Sequence, residues 1–288
     1  MKKKNTDKRF NQVGKQTQEG LYGNDAIKDS LDYKNLSGNS VETFLKNIND
    51  FYNKEIDPIF RPYPIALIKI ILTLFFKNNS KNPELSDYFT LIFQRDIDGT
   101  KSTCIKDKYL NMLDAIHASK QSIETNNQLI IWELAKNSFL AYNEFLNILI
   151  GVVLINYRYS IGKSFKLSTL NNTYGNKVNE LIELNPQDPS FKYLFELLKP
   201  EIRNAIGHQT IWFDKIDSMV TYLNDKTGKN ELISIFDFIL LNSKASYLGE
   251  AYLVAMSTIG LFTIGKPQDK ARLPKELFLF LLNVISPE

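Results

Sequence analysis

Between Glu201 and Asp214 the chain reads EIRNAIGHQTIWFD, and this stretch holds the residue types that could handle a phosphodiester. Arg203 stands five residues ahead of His208, one of two histidines in 288 residues; Asn204 follows the arginine directly and Gly207 precedes the histidine. A guanidinium pairs with phosphate through parallel N–H groups and stabilises charge that builds on it. An imidazole, with an ordinary pKa of about 6.5, can take the proton of a ribose 2′-hydroxyl or return one to the leaving oxygen. An amide can orient either partner. Such chemistry needs no metal and would leave a 2′,3′-cyclic phosphate and a 5′-hydroxyl. One chain brings a single histidine to the site, so a two-imidazole mechanism would require a second copy.

These side chains need an element to aim them. Pro200 suits the first turn of a helix, and Gly207 is the natural residue for a left-handed stop. A helical turn over Pro200–Ile206 is therefore expected, with His208 just past its end. At about 100° per residue, Asn204 and His208 share a face and Arg203 lies one step round, while Ala205 and Ile206 turn to the core. The three polar side chains are expected to converge in one shallow groove. The plainer alternative is a surface arginine and a histidine facing the helix dipole. Glu144, inside an apolar stretch, is either a carboxylate at a dimer interface, a buried partner for Arg203, or simply exposed. Trp212 and Phe213 either stack a base or pack beneath a hairpin. His117, between Asp114 and Lys120, reads as a surface residue.

Helical patterning surrounds this segment. Ser40 caps an amphipathic stretch carrying Val41, Phe44, Leu45, Ile48, Phe51 and Tyr52. Pro64 opens a helix to about Phe76, and Leu85–Phe93 reads as a shorter one. From Gln128 to Tyr157 the chain is apolar on most of its circumference, as in a helix buried by neighbours or by a second subunit. Two short helices are expected over Lys177–Leu184 and Phe191–Leu198. After the motif the period changes to alternation: Met219–Leu223 and Glu231–Ser234 flank a turn containing Gly228, predicting one small β-hairpin. Ser234-Ile-Phe-Asp237 then opens a helix expected to reach Ile264, and a last helix covers Pro274–Ile285. The expected organisation is a disordered basic tail over 1–30, an N-terminal helical region over 31–104, and a helical domain over 105–288.

Composition narrows the function classes. The formal net charge is +3, and residues 1–20 alone carry +4, so the remainder carries −1. The body is not a basic nucleic-acid platform, and RNA contact must be local or made by the tail. Cys104 is the single cysteine, which excludes an intramolecular disulfide and a thiolate cluster for zinc. A reducing cytoplasm is the expected compartment, with no secretory signal and no membrane span. No Gly-rich phosphate loop and no paired-histidine zinc signature is present, so neither a cofactor nor a metal is expected.

The order Arg203-Asn204-x-x-x-His208, approached by helices and followed by a hairpin and a long helix, resembles the HEPN superfamily (higher eukaryotes and prokaryotes nucleotide-binding). The resemblance covers residues 105 to 265. It implies a mostly α, HEPN-like helical bundle with one hairpin and additional N-terminal helices, a homodimer that brings two motifs together, and metal-independent endoribonuclease activity. It also implies service as a toxin or in abortive-infection defence against phage, with a protein inhibitor or antitoxin as a further partner. One departure matters: the branch silenced by a nucleotidyltransferase carries tyrosine two residues after the histidine, where this chain has Thr210, so adenylylation there is not expected. Arg203, Asn204 and His208 are the catalytic candidates. The rival readings are a non-catalytic helical module that binds RNA or protein, and a structural protein in which both side chains are buried and face apart.

Overall fold

The computed structural model describes residues 56–82 and 105–264. The expected tail, the Ser40 helix, Leu85–Phe93, Cys104 and the helix Pro274–Ile285 lie outside the described residues. In chain order the elements are α1 (Pro62–Asn79), α2 (Ile105–Ser122), α3 (Gln128–Ser160), α4 (Tyr174–Glu183), α5 (Ser190–Leu197) and α6 (Pro200–Gly207). Strands β1 (Ile211–Asp214), β2 (Met219–Asn224) and β3 (Lys229–Ser234) follow, then α7 (Ile235–Ala245) and α8 (Leu248–Ile264). The protein is mostly helical with one small antiparallel sheet.

Helix α3 is the axis. Asn127 caps it, its Oδ1 accepting from the Leu129 and Ile130 N–H groups at 3.1 and 3.4 Å. Thirty-three residues at 1.5 Å each give a rod of about 50 Å. Its length and apolarity would suffice to cross a membrane, but most of its apolar window is buried inside the protein. The burial comes from neighbours in the same chain: α1, α2, α4, α6 and α7 all pack on it. That answers how so apolar a helix is covered, and leaves Leu129 and Ile130 at its start as its exposed large hydrophobics.

Pro62 and Pro64 set the first turn of α1, where a missing N–H costs nothing. The helix then buries Ile65, Ile68, Ile71, Leu72 and Phe75 in the same apolar cluster as α3. Its far end is fixed by Asn78, fully buried, whose Nδ2 donates to the backbone O and Oδ1 of Asn156 on α3, both at 2.9 Å. At the near end, Tyr63 and Lys244 both donate to Glu196 Oε2, joining α1, α5 and α7.

The expected hairpin is present, and Gly228 turns it with a φ of +65°. It is extended by a strand that the sequence did not announce: β1 pairs antiparallel with β2, giving the order β1-β2-β3. Ile-Trp-Phe lacks polar alternation, and Ser218, not glycine, takes the positive φ of 54° in the connecting turn. In register Phe213↔Val220↔Ile233 the row faces the core, while Trp212↔Thr221↔Leu232 faces outward. The expected single helix from Ser234 to Ile264 is broken at Ser246–Tyr247. There the Ser246 N–H and hydroxyl both bond to the Ser243 carbonyl, tightening the last turn of α7. Helix α8 then runs against α2 at Gly249, where an added Cβ would stand 2.8 Å from Leu113.

Phe238 of α7 ties the sheet end to the axis. Its ring lies 5.0 Å from Phe139 and 5.2 Å from Trp132, and Trp132 in turn lies 5.8 Å from Phe213. Phe238→Ala should destabilise the protein by about 3–5 kcal/mol, read as a lower urea midpoint by circular dichroism. A loss under about 1 kcal/mol would mean that this aromatic cluster is not the packed junction described.

Candidate functional site

Helix α6 begins at Pro200 as expected, buries Ile202 and Ala205, and ends one residue later than expected. Gly207 is still helical, and His208 is the capping residue at φ −93°, ψ 2°. The left-handed position falls on Gln209, φ 59°. Its N–H bonds to the Ile206 carbonyl at 3.2 Å and the Thr210 N–H to the Ala205 carbonyl at 2.8 Å, a Schellman closure. Thr210 is also held from the sheet, its carbonyl accepting from the Leu223 N–H at 3.0 Å. These anchors offset the cost of a left-handed non-glycine, about 1–2 kcal/mol. They also explain why Gly207, with open space around its Cα, is not the turn residue.

Arg203 points back at α3. Its Nε donates to Glu144 Oε1 at 2.7 Å, Nη2 donates to the same oxygen, and Nη1 donates to Asn204 Oδ1 at 3.3 Å. Glu144 is thus the partner of Arg203, and its other oxygen is taken as well, accepting from Lys108 Nζ of α2 at 2.5 Å. The side chains of Lys108, Glu144 and Arg203 retain 27%, 22% and 29% of their exposure, so the group sits at the protein's edge and solvent reaches it. Burial alone would push the Glu144 carboxyl up; the hydrogen bonds from Lys108 and Arg203 outweigh it and hold the group below the usual carboxylate range.

A donor inventory shows what this arrangement can bind. Of five guanidinium N–H groups, three are used, which leaves one on each terminal nitrogen of Arg203. Because Asn204 accepts with its oxygen, its two amide N–H groups are turned away from Arg203. Lys108 keeps two N–H groups beyond the one it gives to Glu144. The unused groups are donors, held by a carboxylate whose charge one cation would already balance. A third cation is buried against α3 from α4: Lys177, 1% exposed, donates to the carbonyl and Oδ1 of Asn147, one turn along α3 from Glu144, both at 3.0 Å. Burial pushes its pKa down to about 8, with the Glu144 charge opposing that shift. An anion with several acceptor oxygens is the complement of such a site.

His208 stands apart. It is exposed, its backbone N–H bonds to the Asn204 carbonyl at 2.8 Å, and no described side chain hydrogen-bonds its imidazole. The structure therefore brings Arg203 and Asn204 together, adds Glu144 and Lys108, and leaves His208 at the tip of the same helix. Of the three side chains expected to share a groove, Arg203 and Asn204 are hydrogen-bonded to each other, and the His208 imidazole is hydrogen-bonded to neither. Trp212 and Phe213 part ways: Phe213 packs on Trp132, whereas Trp212 is 50% exposed. Among the described residues no group of His, Cys, Asp and Glu is arranged to hold a metal ion. Lys108 was the residue that sequence reasoning passed over. No known family, curated protein or solved structure matches the chain.

The Glu144 hub has a pH signature. A depressed carboxyl contributes stability that is full above its unfolded value of about 4.3 and is lost as the pH falls through the lower folded value. Glu144→Gln should lower stability at pH 7 by about 1–3 kcal/mol and flatten the acid side of the stability profile. Urea midpoints from pH 7 to pH 3 measure this; parallel profiles for wild type and variant would contradict the assignment.

Proposed function

We propose that this protein is a metal-independent endoribonuclease of HEPN type, acting through Arg203, Asn204 and His208. The observation that carries the reading is the Glu144-held guanidinium: it presents unused N–H groups beside the Asn204 amide, as grip on a phosphodiester requires. Arg203 would bind the scissile phosphate and stabilise its developing charge, and Asn204 would share that contact. His208, exposed and with no hydrogen-bonding side chain among the described residues, would move the proton between the ribose 2′-hydroxyl, solvent and the leaving 5′-oxygen. A homodimer is part of the proposal, since a second copy would supply the second imidazole and could bring it to the guanidinium, to which its own chain's histidine is not hydrogen-bonded. The cytoplasmic compartment and a role in phage defence or as a toxin follow only from the family resemblance and are proposed with it.

A second reading has one observation in its favour. Within one chain no hydrogen bond joins the imidazole to the guanidinium, which suits a helical module that holds RNA without cutting it. End-labelled single-stranded RNA separates the two. His208→Ala should lower cleavage by at least about 10²-fold while its thermal unfolding matches wild type, because the side chain is exposed. Arg203→Lys should also lose activity, since a lysine cannot reproduce the planar fork. Equal cleavage by wild type and His208→Ala rejects the nuclease assignment, and retention of intact RNA by both supports the binding module.

A further inference from the structure

We infer that Lys108 is a second phosphate contact of this site, so that the RNA backbone is gripped jointly by α2 and α6. The inference rests on the RNA reading above. Lys108 Nζ and the Arg203 guanidinium occupy the two oxygens of one carboxylate, which places two cations side by side on a single negative charge. Lys177, whose nitrogen is held by Asn147 and not by a carboxylate, adds a third positive charge close enough to feel those of Glu144 and Lys108. Glu201, in the first turn of α6, makes no hydrogen bond or ion pair to any of the three; Tyr174 feels its charge together with those of Arg203 and Glu144, so three cations share this neighbourhood with two carboxylates.

An excess of like charge around one carboxylate is unfavourable until an anion arrives. The two cations differ in what they can offer it. Arg203 is fixed by three hydrogen bonds and keeps two directed donors. Lys108 is held by one bond, keeps two N–H groups, and is more than a quarter exposed on a flexible stem. A phosphate on the Arg203 donors therefore lies within the swing of the ammonium. Lys108 is a substrate-binding residue in this account, and Glu144 is the residue that positions both cations.

Salt dependence tests this more sharply than affinity alone. The slope of log K against log salt counts phosphates neutralised, at about 0.7 per contact for a single strand. Binding of fluorescein-labelled single-stranded oligouridylate is followed by anisotropy from 50 to 300 mM NaCl, as a test range of about sixfold in salt. His208→Ala is the parent, so that cleavage does not interfere. Adding Lys108→Gln, whose amide can still donate to Glu144, should reduce the slope by about 0.7, and Lys108→Arg should restore it. Lys108→Met gives the same reading if the glutamine variant folds poorly. An unchanged slope with weaker binding would make Lys108 a purely structural partner of Glu144 and overturn the inference while the RNA reading stands. Absence of salt-dependent binding in the His208→Ala parent would overturn both.

Discussion

Glu144 is where the folding problem and the site's chemistry coincide. A carboxylate on the core helix α3 loses hydration by sitting at the packed edge, and that loss alone would favour the neutral acid. Lys108 from α2 and Arg203 from α6 reverse the preference by meeting one oxygen each. Three segments separated by 36 and 59 residues are joined at one functional group. Because the pair is partly exposed, solvent screens it, and its worth lies below that of a sealed ion pair. Its larger consequence is directional: the carboxylate decides which N–H groups of Arg203 remain for a ligand.

His208 is placed by different means. Its backbone is fixed by the Schellman closure and by the link from Thr210 to β2, whereas its imidazole is left to solvent. On the proposed reading this division is functional. A phosphate clamp works best when held still, and a proton carrier works best where its ring can exchange with water and reach a substrate. The sheet serves the same end, since β1 leaves directly from the cap and β2 pins the turn that sets it.

Much of the helical framework was legible because its physical signals are local. Pro64, the Ser234–Asp237 cap and Gly228 each act within a few residues, and the structure uses all of them. What was hidden depends on distant partners. Ile211–Asp214 becomes a strand because β2 offers an edge, and its turn hangs on a positive-φ serine that sequence does not flag. The break between α7 and α8 has neither glycine nor proline at its centre and rests on serine side chains bonding back to carbonyls. In the site, Arg203 and Asn204 stood out by type and spacing, and Glu144 by being a lone charge in an apolar run. Lys108 carried no such mark, since a lysine near Lys106 and Asp107 on an amphipathic helix looks like any solvated face.

The chemistry of the severed ends gives the most direct test of the central claim, that a guanidinium held by Glu144 and an exposed imidazole cut RNA without a metal. Purified protein is incubated with single-stranded RNA in excess EDTA, and the product termini are identified by mass spectrometry. The account predicts 2′,3′-cyclic phosphates paired with 5′-hydroxyls. Intact RNA, or 5′-phosphate ends that vanish with the chelator, would contradict it.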